Sequence, residues 1–416
     1  MTEENEKRYD MFDEYLRQGE PSKREAAFAW STAIGLQDVD RLKTSDYLRE
    51  VATRNIEGEI TMDEAHRLIH SYYKTKTNRT ADTEATEEAD KAAANISRIL
   101  SSDTLDFSTN GYKALHRRIF TGVFKHAGQI RDYDITKREL VLNGDTVRYL
   151  NWEDLNRALD YDIAEERAFS YAGLSGDKTV EHISRFVSGL WQIHAFGEGN
   201  TRTTAVFTIQ YLRSLGFVID NDLFSKHAWY FRNALVRANY KNAAQGIDYT
   251  FTYLERFFRN LLLGEQWVLK SRYLFVNPPA EYRDQPRLDI SPQVTPQVPP
   301  QLTPTSTPTS TEQVTRTSTR TSSLISRLNP NSKFYTNDEN TIELVRVIGD
   351  DELSIKELMS RRGLKQRPNF IEYHLNPALH SRFLRRKYPD NPNHPRQRYL
   401  LTVKGRMLYN ELSKQE

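Results

Sequence analysis

At 416 residues, with 58 Lys and Arg against 56 Asp and Glu, the chain is too long for one ordinary core, and its near-balanced charge does not draw the whole of it to nucleic acid or membrane. It contains no cysteine, which excludes disulfides, thiolate zinc sites and cysteine nucleophiles. Its first residues, MTEENEKRYDMF, lack the basic start and apolar stretch of a secretory signal, and no run reaches the roughly 20 apolar residues of a membrane span. The expectation is a cytoplasmic protein with no membrane partner.

Residues 1–78 read as a small helical unit. Tyr9, Phe12 and Leu16 share one stripe, and Ser22-Lys-Arg-Glu25 and Thr61-Met-Asp-Glu64 both have the form of a capping box. Between the boxes, 46–57 predicts a helix that ends at Gly58, with Leu48, Val51, Ala52 and Ile56 on its inner face. Thr53 and Glu57 lie four apart and so share a face.

Residues 79–284 form the main domain, again helical in period: Val180, Ile183, Phe186, Val187, Leu190 and Trp191 make one apolar face, and Val206, Ile209 and Leu212 another. Within it, 139–150 carries two short apolar runs around Asn143-Gly144, a pair suited to a two-residue turn with positive φ, so a protruding β-hairpin is expected. Residues 285–330 are rich in Pro, Thr, Ser and Gln and read as a disordered linker. Residues 331–416 return to helical periodicity, ending in a two-stranded wing around PDNPNHPRQ. They hold 16 Lys and Arg against 11 Asp and Glu, a net of +5, which makes a DNA-binding winged helix one reading and a protein-docking domain the other. The fold class expected overall is mainly α, with a hairpin flap and a C-terminal winged helix-turn-helix.

The densest chemistry lies between two amphipathic helices, in Trp191-Gln-Ile-His194-Ala-Phe196-Gly197-Glu198-Gly199-Asn200-Thr201-Arg202. His194 has the residue type of a general base near neutral pH. Glu198 offers a hard carboxylate oxygen of the kind Mg²⁺ accepts beside substrate phosphates. The glycine turn leads into a helix whose first N–H groups are free for an anion, and Arg202 adds a planar donor fork. Each alone has an ordinary structural explanation, as a core histidine, a helix cap or a solvated acid; together they converge on a phosphate.

This segment resembles the motif His-x-Phe-x-Asp/Glu-Gly-Asn-Gly-Arg-x-x-Arg of the Fic/Doc family of nucleotidyl transferases, and Gly128-Gln-Ile-Arg131 followed by the Asn-Gly turn is similar to that family's lead-in and target-docking flap. The resemblance implies transfer of AMP from ATP, with Mg²⁺, to a Ser, Thr or Tyr hydroxyl. His194 would be the base, Glu198 the metal ligand, and Phe196, Gly197, Gly199, Asn200, Thr201, Arg202 and Asn239 the nucleotide site. Lys137, Glu139, Leu140, Val141, Arg148 and Tyr149 would form the flap that pairs with the target's backbone. Thr53, Glu57 and Gly58 resemble the inhibitory motif of the self-inhibited class, with Glu57 aimed at the γ-phosphate region or at Arg202. The sequence departs from the family at Thr201, where a glycine is usual, and at Ala205, where the terminal arginine is usual. The implied partners are ATP, a target protein, the chain itself as target or as oligomer mate, and DNA through 331–416. The competing functions are a DNA-binding regulator whose Fic-like domain only senses nucleotide, a different donor, and removal of AMP.

Overall fold

The computed structural model describes residues 12–75, 80–219, 222–278 and 329–414. Most of the linker expected at 285–330 lies outside those residues.

The described residues open with α1 (Asp13–Gln18) and α2 (Pro21–Gly35), which runs on as a 3₁₀ turn, Leu36–Asp40. The expected Ser22 capping box does not form. Pro21, whose fixed φ suits a first helical position, starts the helix two residues earlier than that box would, with Glu20 at the cap position, so Ser22 falls inside it. Next come α3 (Asp46–Ile56), capped by Ser45, and α4 (Met62–Lys74), which has the expected Thr61–Glu64 box. The long α5 (Ala81–Leu100) packs against α2 and α4, so the N-terminal helices share one hydrophobic core with the helices of the main domain.

The main domain continues with α6 (Thr109–Phe120), α7 (Leu155–Ala168), α8 (Gly176–Ile193), α9 (Asn200–Ser214), the single turn α10 (Leu223–Lys226), α11 (Ala228–Ala238) and α12 (Thr252–Phe258). Helix α9 is buried along nearly its whole length, from Asn200 to Leu212. A helix buried on every side belongs at the centre of a bundle.

The C-terminal unit comprises α13 (Glu339–Ile348), α14 (Ile355–Arg361), α15 (Arg367–Phe370), α16 (Asn376–His380), β1 (Leu384–Arg386), β2 (Tyr399–Leu401) and α17 (Val403–Ser413). Strands β1 and β2 are antiparallel, with Leu384 opposite Leu401 and Arg386 opposite Tyr399, and Leu353 adds a one-residue bridge to Tyr399. Two basic residues of the wing are ion-paired at the surface: Lys387 with Glu352, and Arg398 at 3.2 Å from Glu357.

This unit sits against the far ends of the two helices that carry the His194 loop. The Leu215 carbonyl accepts the Lys404 N–H at 3.1 Å, and the Leu174 carbonyl accepts from Asn410 Nδ2 at 2.7 Å. Gly216, at φ +99°, leaves no room for a side chain, because a Cβ there would stand 2.6 Å from Thr402 Oγ1. No helix among the described residues is long and apolar enough to cross a membrane.

Residues 139–150 do not form the expected hairpin. Asn143 and Gly144 take the positive φ their types favour, 57° and 89°, but they close a 3₁₀ turn at Leu140–Leu142. The reason is burial: Val141 and Leu142 are adjacent and both buried, whereas successive residues of a strand face opposite sides. The Val141 carbonyl is also spent, accepting the Val276 N–H at 3.0 Å.

Candidate active site

His194 ends α8 in the left-handed region, φ 50° and ψ 55°, a conformation rare outside glycine and a marker of local strain. Arg131 holds it there. The guanidinium is buried; its Nε donates to the His194 carbonyl at 2.8 Å and its Nη1 to the Tyr133 carbonyl at 2.6 Å, while the Arg131 N–H donates to the Ala195 carbonyl at 2.9 Å.

The imidazole is buried, with Nδ1 3.3 Å from the Trp191 carbonyl and Nε2 meeting no partner. A carbonyl can only accept, so the proton sits on Nδ1 and the Nε2 lone pair is free. Burial, followed by the positive charge of Lys137, holds the ring's pKa well below the usual histidine value. His194 is therefore a neutral base at pH 7. Tyr149 covers it, the ring centroids lying 4.1 Å apart, and Trp191 meets it edge-on.

The loop after His194 is fixed from within. Asn200 closes it with two hydrogen bonds to Phe196, accepting its N–H at 2.9 Å and donating to its carbonyl at 2.6 Å. Phe196 is fully buried and stacks on His116 with centroids 3.7 Å apart. Gly199 has φ 73°, and a Cβ there would lie 2.2 Å from the Phe120 ring. Both facts require glycine. Thr201 accepts from Trp191 Nε1 at 2.9 Å, which ties α9 to α8 and gives a use to the residue that stands where the family has glycine. Ala205 is fully buried in the bundle, so a charged side chain in its place would have to leave the core.

Glu198 is more than half exposed, and its carboxylate lies 3.6 Å from Lys137 Nζ. No group of three or more His, Cys, Asp or Glu capable of holding a metal occurs among the described residues. One exposed carboxylate still fits Mg²⁺, which is commonly held by one or two carboxylates together with substrate phosphates and water.

Three expectations change. Arg202 does not face the loop's hollow. Its guanidinium is buried, 2.8 Å from Asp40, 2.7 Å from Glu88 and 3.0 Å from Gln37, with Phe120 beneath it. It ties α9 to Gln37, Asp40 and Glu88, with Nη1 and Nη2 hydrogen-bonded to Gln37 and Glu88. Glu57 does not reach Arg202, because its carboxylate bonds to Lys23 and Tyr15. Lys23 and Gln37 stand at opposite ends of α2 and its 3₁₀ extension, about 20 Å apart at 1.5 Å per residue; Thr53 and Gly58 lie at the Lys23 end with Glu57. Asn239 turns its amide into the core, donating to Ser188 Oγ at 2.9 Å and the Leu235 carbonyl at 3.0 Å.

The flap residues divide in the same way. Lys137, Leu140 and Arg148 reach solvent, while Val141 is buried and Glu139 is buried in an ion pair with Arg232 at 2.6 Å. Tyr149 donates to the same carboxyl group at 3.2 Å. A cavity of about 340 Å³ between α6 and α7, lined by Thr109, Lys113, Asp160 and Arg167 among others, includes none of these residues.

The sequence profile of the Fic/DOC family matches residues 106–212, the span from just before α6 through the His194 loop to the end of α9. The chain carries a Fic/DOC family domain. A second profile, the C-terminal domain of Fic-like proteins (filamentation induced by cAMP protein Fic-like), matches 339–402. The chain is 28% identical over 116 residues to protein adenylyltransferase VbhT of Bartonella schoenbuchensis, an alignment covering 28% of this chain and 23% of that protein. It thus spans about a quarter of that relative's length. The crystal structure of a Fic family protein from Desulfovibrio desulfuricans G20 aligns over 96% of this chain and 93% of its own at 15% identity, with a TM-score of 0.35, a likeness too loose to carry weight.

Proposed function

We propose that this Fic-domain protein transfers AMP from ATP to a protein hydroxyl, on a target or on itself. The observation that carries the proposal is His194 Nε2: buried, unpartnered and deprotonated, at the mouth of a glycine turn that opens a helix. A Ser, Thr or Tyr hydroxyl against Nε2 gives its proton to the imidazole. Its oxygen then attacks the α-phosphorus of ATP; the new phosphoester bond forms as the bond to pyrophosphate breaks, and pyrophosphate leaves. The first N–H groups of α9 and the helix dipole, about half a positive charge, stabilise the negative charge that gathers on the α-phosphate. The similarity to a protein adenylyltransferase supports AMP as the group transferred.

Glu198 is the residue that would hold Mg²⁺, which when bound offsets phosphate charge. Lys137 then has to leave Glu198, and it lies close enough to serve as a phosphate contact. With Arg202 ion-paired elsewhere and Ala205 apolar, Lys137 is a nearby cation suited to this work. The test is incubation with ATP labelled in the α-phosphate, with label on protein expected.

For 331–414 we propose a winged helix, on the order helix, bridge strand, helix, helix, β-hairpin. Lys365, Arg367 and Arg396 are among its exposed cations and are the ones we assign to nucleic acid. DNA affinity of the whole chain should fall steeply with salt, and charge reversal of these three should remove it.

A further inference from the structure

We propose that His116 is a positioning residue that aims the Gly199 amide at the phosphate; this rests on the nucleotide-transfer reading and names a residue outside the loop motif. His116 lies on α6, fully buried beneath the loop. Its Nδ1 accepts the Gly128 N–H at 2.8 Å, and its Nε2 is 3.0 Å from the Glu198 carbonyl oxygen. An N–H can only donate and a carbonyl can only accept, so the tautomer is fixed: lone pair on Nδ1, proton on Nε2. Burial pushes its pKa down to about 4, which keeps the ring neutral and both bonds intact at pH 7.

The consequence comes from the planar trans peptide. The carbonyl of Glu198 and the N–H of Gly199 belong to one peptide unit and point in opposite directions. With the carbonyl drawn down onto His116, the Gly199 N–H faces away from α6, toward the hollow ahead of α9. Among the described residues no backbone carbonyl or side chain accepts it. The rest of the floor resists rotation of this peptide: Phe196 stacks on His116, Phe120 fills the space a Gly199 side chain would need, and the Tyr112 hydroxyl meets Thr204 at 3.1 Å. Residues 112, 116 and 120 recur every four positions, so one face of α6 supplies the whole support.

The test compares His116→Phe, which keeps an aromatic ring and loses both bonds, with His116→Gln, whose amide can accept from Gly128 and donate to Glu198. ATP affinity by calorimetry and transfer of α-phosphate label are both read. His116→Phe should lose on the order of 10²-fold in transfer, the scale of one preorganised donor, with weaker ATP binding, and His116→Gln should stay within about fivefold of wild type. Wild-type behaviour of His116→Phe, or equal loss in both variants, overturns the proposal.

If wild type binds ATP but transfers nothing, the transfer reading fails and His116 is judged on affinity alone. Should His116→Phe not fold, the wild-type protein decides: with glycine-selective ¹⁵N labelling, the Gly199 amide should shift on addition of ATP, and an unmoved resonance overturns the proposal.

Discussion

Tyr149 lies over His194 with ring centroids 4.1 Å apart, and its hydroxyl is tethered to Glu139, which is itself paired with Arg232. The base is thus roofed by the segment that the sequence marks as a flap, and removing that ring should open the imidazole to a target hydroxyl and to water. Tyr149→Ala should raise transfer several-fold. It should also move the acid limb of the rate profile upward, because burial is the chief cause of the low His194 pKa and water would then reach the ring. Unchanged rate and profile would show that Tyr149 is not a barrier.

In the wild type, a base whose pKa is depressed stays unprotonated to lower pH. Transfer should therefore hold level as pH falls through 6.5, the ordinary histidine value, and decline only below it. A rate that halves near 6.5 would place His194 in water. The measurement is initial rate of label incorporation against pH at saturating ATP.

Gly199→Ala puts a methyl group 2.2 Å from the Phe120 ring at a φ of 73°. The loop must shift, so transfer should fall at least about 100-fold while the helical circular dichroism is retained, a loss typical of displacing one catalytic donor. Gly144→Ala, also at positive φ but with no atom within 4 Å of its would-be Cβ, is the control and should leave transfer nearly intact.

Glu57→Gly should change transfer by less than about twofold, since Glu57 lies at the far end of α2 from Arg202. Asp40→Asn combined with Glu88→Gln strips Arg202 of both counter-charges, and an unpaired buried charge costs about 3–5 kcal/mol. The double variant should melt well below wild type in a thermal scan. Strong activation by Glu57→Gly would mean that the N-terminal helices also adopt another arrangement.

The loop was legible in the sequence because its demands are local. A glycine at positive φ, an asparagine that closes the turn on Phe196, and a histidine at a helix end all act within seven residues. The helices of the bundle were legible for the same reason, through their apolar period and caps such as Thr61–Glu64. What escaped was set by packing across the chain. The direction of Arg202 depends on Asp40 and Glu88, which are more than 100 positions away from it, and the flap's 3₁₀ turn is held by the distant Val276 N–H, which donates to the Val141 carbonyl. His116 stood in plain view as part of the Tyr112, His116, Phe120 stripe, but that spacing alone does not separate a core histidine from a positioning one. The Glu57 motif shows the converse: the short pattern was present, while the fold placed it at the wrong end of α2.

The most direct test of the account uses two forms of ATP, labelled at the α- or the γ-phosphate, each with Mg²⁺ and with wild type or His194→Ala, followed by intact-mass analysis. Wild type should gain the α label and the mass of one AMP, gain nothing from the γ label, and lose the reaction on His194→Ala by about 10²–10⁴-fold. Incorporation of γ label, or equal α labelling by His194→Ala, would contradict it.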